Sequence, residues 1–215
     1  MISTVPKGIF VTFEGGEGAG KTTQIQLLAE NLREEGYEVV QTREPGGVPE
    51  AEKIRDLLVR RDGGNWDALS EILLFFAARR MHVETLIKPA LAAGKIVICD
   101  RFTDSTVAYQ GYGHGFDLGK LKAIEDLSIN SFAPDITFIM DLPVEEGLAR
   151  AGKRLEAEQS MEDKNELRPF EFHNALRNGF LEIARHNPKR CKVIDATQPV
   201  EVISNEVYAI LASHE

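Results

Sequence analysis

The chain has 215 residues, 43% hydrophobic and 27% charged, a balance that suits one globular domain, 1–215, with a sizeable core. Its 34 acidic and 25 basic residues leave a formal charge of −9, which argues against a surface built for nucleic acid or an anionic membrane. No apolar run reaches the roughly 18 residues of a membrane span, and Met1 to Lys7 is unlike a signal peptide. A cytoplasmic protein is expected, with Cys99 and Cys191 reduced and buried in strand-like runs.

Short β-branched runs recur at Gly8–Phe13, Tyr37–Thr42, Lys95–Cys99, Asp135–Met140 and Cys191–Ile194, separated by helical stretches. That alternation predicts an α/β fold, a five-stranded parallel sheet flanked by helices on both faces. Directly after the first run, Gly15-Gly16-Glu17-Gly18-Ala19-Gly20-Lys21-Thr22 spells a phosphate-binding loop, and Thr23-Gln24-Ile25-Gln26-Leu27-Leu28 continues as a helix. Inward-pointing N–H groups and the helix dipole meet a polyphosphate there. Lys21 would bridge the β- and γ-phosphates and Thr22 would reach Mg²⁺.

The second run leads into Thr42-Arg43-Glu44-Pro45-Gly46-Gly47, with Arg43 at the strand end. A long helical stretch follows, Asp67 to Ala93, with an expected core stripe of Leu69, Ile72, Leu73, Phe76, Val83, Ile87 and Ala90. Leu74, Ala78 and Met81 form a second apolar patch, which implies a partner helix from another copy. Phe75 and Arg79, four apart, share a face; they present a ring and a guanidinium to one ligand, or else pack as a core phenylalanine beside a snorkelling arginine.

The third run ends in Asp100-Arg101-Phe102. Arg43 and Arg101, at the ends of neighbouring strands, suit an acceptor phosphate, and Asp100 suits Mg²⁺, held directly or through water. From about Gly152 to Arg168 apolar periodicity is lost, which predicts a mobile surface segment. The five histidines, His82, His114, His173, His186 and His214, show no ligand spacing. A guanine-reading Asn-Lys-x-Asp is absent, which disfavours a regulatory GTPase.

Taken in order, Phe13 to Thr23, Thr42 to Gly47, Phe75-Phe76-Ala77-Ala78-Arg79, Asp100-Arg101-Phe102 with Ser105 and Tyr109-Gln110-Gly111, and Ile194-Asp195-Ala196-Thr197 resemble the bacterial thymidylate kinases over almost the whole chain. The phosphate loop is generic; Thr-Arg-Glu-Pro-Gly-Gly joined to Asp-Arg-Phe is specific to that family. The resemblance implies a P-loop nucleoside monophosphate kinase fold with a short lid at about 150–168, Mg²⁺-assisted transfer from ATP to dTMP, and a homodimer. It implies that Gly15 to Thr23 (Gly15, Gly16, Glu17, Gly18, Ala19, Gly20, Lys21, Thr22, Thr23) and Arg150 bind ATP, with Arg150 flanking adenine. Phe75 would stack on thymine, Arg79 would bond O4 and Thr106 would face N3. Arg43 and Arg101 would hold the acceptor phosphate, Ser105 would also bind dTMP, Glu17 would meet the sugar 3′-OH, and Tyr109 would crowd the 2′ position. Some relatives carry an arginine in the loop where this chain has Gly18, so Arg154, in the lid, aligns as the transition-state cation. Lys164 stands where a second lid arginine is common.

Overall fold

A computed structural model describes residues 8–60, 62–158 and 168–214, with the side chains of 154–158 outside the description. Five parallel strands, β1 (Phe10–Glu14), β2 (Val39–Arg43), β3 (Ile96–Asp100), β4 (Ile136–Asp141) and β5 (Cys191–Asp195), stand in the order β2-β3-β1-β4-β5. Each strand ends one residue later than its apolar run, because Glu14, Arg43, Asp100, Asp141 and Asp195 still hold sheet geometry. Charged side chains are therefore set in register along the carboxyl edge, Arg43 beside Asp100 and Asp141 beside Asp195. Ligands of such sheets bind at that edge.

Both sheet faces are covered, which explains strands that are apolar on successive residues. On one face Val11, Phe13, Ile98 and Phe138 pack under α1 (Lys21–Glu34) and α9 (Val200–Ala212), through Ile25, Leu28, Leu32, Ile203, Val207 and Leu211. On the other, Phe10, Val97 and Cys99 meet Val83, Ile87 and Leu91, while Ile139 and Cys191 meet Leu176 and Phe180 of α8 (Phe170–His186). Cys99 and Cys191 are both free and buried, and burial drives the Cys191 thiol up to about 12.

The expected Asp67 to Ala93 stretch is helical throughout. Asp67 caps α3 (Ala68–His82), its Oδ1 accepting from the backbone N–H of Leu69 and Ser70 at 3.0 and 3.1 Å. A π turn (Val83–Ile87) then leads into α4 (Lys88–Ala92). Pro89 has no N–H to give to the helix ladder, and the wider turn ahead of it accommodates the loss.

Two expectations for this helix are corrected. Leu69 and Leu73, assigned to the core stripe, are 47% and 50% exposed, and Ala78, assigned to an outward patch, is buried against Ala51 of α2 (Pro49–Val59) and Val48 just before it. The outward stripe is instead Leu69, Leu73, Ala77 and Met81, spaced every four residues. α2 packs where periodicity alone left the face undecided.

After β3 come α5 (Thr103–Thr106), a second π turn (Val107–Gly113) and α6 (Leu118–Ile129). α7 (Val144–Glu158) extends into the stretch expected to be irregular from Gly152; residues 159–167, with Lys164, lie outside the description. No helix among the described residues is long and apolar enough to cross a membrane.

Candidate active site

The carboxyl edge opens into a cleft of about 590 Å³ lined by Glu17 to Thr23, Arg43, Phe75, Arg79, Asp100, Arg101, Ser105, Thr106, Tyr109 and Arg150. Most of the residues singled out from the sequence thus share one cavity. Gly15 and Gly16 lie behind it and hold two of its cations: Lys21 Nζ donates to their carbonyls at 3.2 and 2.9 Å, and Arg101 Nη1 to Gly15 O at 2.9 Å. Burial, followed by the neighbouring Arg101 charge, lowers the Lys21 pKa. Phosphate oxygens would reverse that shift.

Gly18 has φ +67°, and a Cβ there would lie 2.2 Å from Gly147 O. No side chain fits at this loop position, because α7 approaches too closely. On α7, Arg150 Nη1 reaches Ala196 O at 3.4 Å in the loop after β5.

Arg101 occupies the left-handed region with φ +67°, a strain of roughly 1–3 kcal/mol that such sites bear where the surroundings fix the turn. Glu14 does the fixing: its carboxylate accepts from the Phe102 backbone N–H at 2.7 Å and from Ser105 Oγ at 2.5 Å. The turned guanidinium then reaches Ser105 Oγ at 3.2 Å and Glu17 Oε1 at 3.0 Å, and lies over the Tyr109 ring at 5.1 Å. The Tyr109 hydroxyl also donates to Glu17 Oε1. Arg101 stays protonated: burial opposes its charge, but Tyr109, Glu17, Asp100 and Glu14 outweigh that.

Burial, reinforced by Asp104, pushes the Glu14 carboxyl up to about 7 from its ordinary 4.5. The native state therefore keeps a proton that the unfolded chain has lost, and the stability from Glu14 declines as pH rises through about 7. Glu14→Gln should flatten the loss of Tm between about pH 5 and pH 8 relative to wild type. Parallel Tm profiles from differential scanning calorimetry would refute this.

Arg79 is a buried exception among arginines, 2% exposed. Its Nε donates to Glu44 Oε2 at 2.7 Å, and its Nη2 to Phe102 O at 3.1 Å and Thr106 Oγ1 at 3.0 Å. Nη1 is buried and has no partner. Phe75, one turn earlier on α3, lines the same cleft half-buried. Both residues of the pair line the cleft, while the Arg79 guanidinium also packs over the Phe76 and Phe102 rings at 4.8 and 5.2 Å. At the other side Thr22 Oγ1 donates to Asp100 Oδ2 at 3.3 Å, and Asp100 Oδ1 is buried without a partner.

Several cleft residues had no motif to reveal them. Arg55 and Glu71 line the cavity. Arg55 Nη1 holds Pro45 O at 2.9 Å. Asp104 is clamped by Arg190 at 2.6 and 3.0 Å, and Arg190 also reaches Thr137 Oγ1 at 2.7 Å. These pairs span up to 86 positions, beyond the reach of any periodicity.

A phosphate loop, a second cation cluster facing it across one cleft and a five-stranded parallel sheet define a P-loop nucleoside monophosphate kinase. The thymidylate kinase family model matches residues 13–207, and the chain belongs to that family. It is 47% identical over 195 residues to a thymidylate kinase of Geotalea uraniireducens, covering 90% of this chain and 92% of the relative. It is 48% identical over 198 residues to one of Caulobacter vibrioides, covering 92% and 93%. A crystal structure of thymidylate kinase from Ehrlichia chaffeensis superposes with a TM-score of 0.76 at 42% identity, covering 96% of this chain and 100% of that one. As a family member the chain is a phosphotransferase that takes dTMP to dTDP with ATP as donor.

Proposed function

We propose that the two ends of the cleft divide that reaction between donor and acceptor. ATP lies along Gly15 to Thr23, its phosphates on the loop N–H groups and Lys21, its adenine beside Arg150. The acceptor phosphate sits among Arg43, Arg101 and Ser105, the deoxyribose between Glu17 and Tyr109, and the thymine against Phe75, with Arg79 and Thr106 at its polar edge. Catalysis here is positioning and charge neutralisation, since phosphoryl transfer asks little covalent chemistry of the protein. The carrying observation is that Phe75 and the buried, part-free Arg79 open into the same cavity as the phosphate loop.

Mg²⁺ fits the residues present: Asp100 Oδ1 is a buried carboxylate oxygen without a partner, next to the Thr22 hydroxyl. When bound with the nucleotide, the ion neutralises phosphate charge. The lid, about 150–168, would close over the cleft and exclude water, in a single domain spanning 1–215. Cytoplasmic residence is supported by two buried free thiols.

Phe75→Ala should raise KM for dTMP about ten-fold or more while leaving KM for ATP nearly unchanged, because stacking on a base is worth roughly 1–3 kcal/mol. Steady-state kinetics in which dTMP dependence is unchanged would return Phe75 to a packing role.

We also propose a homodimer through the Leu69, Leu73, Ala77 and Met81 stripe. α6, packed on α3, adds exposed Leu118 and Leu127. Leu73→Glu should shift sedimentation from dimer to monomer at micromolar concentration. A monomeric wild type would dispose of the assignment.

A further inference from the structure

Behind Arg79 lies a buried polar chain that no part of the proposed reaction uses. Glu44 accepts from Arg79 Nε on one oxygen and from His82 Nδ1 on the other, at 2.7 and 2.9 Å. On the far side of the ring, His82 Nε2 lies 2.7 Å from the Thr42 hydroxyl oxygen, within hydrogen-bond reach. Glu44 and His82 are 5% and 0% exposed, so the carboxylate and the ring are largely shielded from water and held by each other and by Arg79. Gly47, at φ +87°, completes the enclosure: a Cβ there would lie 2.5 Å from both His82 Nε2 and Thr42 Oγ1. Four residues of the Thr42 to Gly47 segment and α3 are thereby locked to one guanidinium.

The consequence falls on Arg79 Nη1. With Nε and Nη2 both engaged, the guanidinium plane is determined, and the remaining donor is left unsatisfied beside the cleft. An unsatisfied buried donor favours a ligand that brings an acceptor and penalises one that brings a second donor. A pyrimidine with a carbonyl oxygen at C4 does the first; cytosine, with an amino group there, does the second.

We propose that Glu44 and His82 are positioning residues that set base selection, holding Arg79 so that its free donor selects a C4 carbonyl over a C4 amine. This rests on the reading of Arg79 as the residue at the base edge. Glu44 forms part of the cleft wall behind Arg79 and His82 lies outside it; in this proposal both act through Arg79.

The test is steady-state kinetics of the full chain with dTMP and dCMP at saturating ATP, and with ATP varied at saturating dTMP, for wild type, Arg79→Leu, His82→Leu and His82→Gln, with Tm measured for each. Arg79→Leu is expected to raise KM for dTMP about ten-fold or more and to lower the dTMP-over-dCMP ratio of kcat/KM. His82→Leu should move both quantities in the same direction, by about five-fold, with KM for ATP unchanged. His82→Gln, whose amide can still donate to Glu44, should recover most of the loss. Wild-type KM and preference in His82→Leu, with Arg79→Leu impaired, would overturn the positioning role and leave the Arg79 reading standing. No effect in Arg79→Leu would overturn both. If His82→Leu does not fold, Glu44→Gln is measured in its place against the same outcomes.

Discussion

Replacing Arg101 with alanine is expected to lower kcat/KM for dTMP by about 10³-fold, with KM for ATP within a few-fold of wild type. The side chain bonds Gly15 O, Ser105 Oγ and Glu17 Oε1 at once, and its charge offsets the carboxylates of Glu17, Asp100 and Glu14 around the cleft. Without it, an incoming phosphate dianion meets Glu17 with no intervening cation. Repulsion is then added to the lost charge-assisted hydrogen bonds. Arg101→Lys should recover little, because one ammonium cannot reach both Ser105 and Glu17 as the planar fork does. The turn at residue 101 depends on Glu14 holding the Phe102 N–H, a contact the substitution leaves in place, so Tm should fall far less than activity. A kcat/KM for dTMP within ten-fold of wild type would remove Arg101 from the acceptor site.

Arg154→Ala is the second large effect, read in kcat rather than in either Michaelis constant. The loop position used for a cation by some relatives is Gly18, and the approach of Gly147 O leaves no room there for a side chain. Any cation beyond Lys21 for the transferring phosphoryl group would then have to come from outside the loop. α7 passes directly above Gly18 and carries Arg150 into the cleft; Arg154, whose side chain lies outside the description, follows four residues later in the sequence of α7. A cation in that role contributes roughly 10³–10⁵ to kcat in other phosphoryl-transfer proteins. A contact made by Arg154 in the transition state alone would lower kcat strongly and leave both KM values within a few-fold. Arg154→Lys should restore part of it, and an Arg150 substitution should appear in KM for ATP instead. Near wild-type kcat in Arg154→Ala, with single-turnover kinetics showing chemistry to be rate-limiting, would transfer the role to Lys153, Lys164 or Arg168.

The chain by itself determined whatever depends on neighbours in sequence. Five apolar runs placed the strands to within two residues, and the glycine spacing with Lys21 and Thr22 placed the phosphate loop, because loop and helix N-terminus are contiguous. Arg43, Asp100 and Arg101 were legible as strand-end residues in a fold that binds ligands at that edge. Periodicity also specified the long helix after Asp67, but not which neighbour covers each face. Tertiary packing decided that. α2 takes Ala78 and leaves Leu69 and Leu73 outside, since an amphipathic pattern records that a face is apolar and not what meets it. Likewise Glu14, Glu44 and His82 read as ordinary polar residues of a strand, a motif and a helix. Their roles arise only when chain segments 35 to 88 positions apart are buried together, where desolvation raises the Glu14 pKa and makes every polar partner of Glu44 and His82 obligatory.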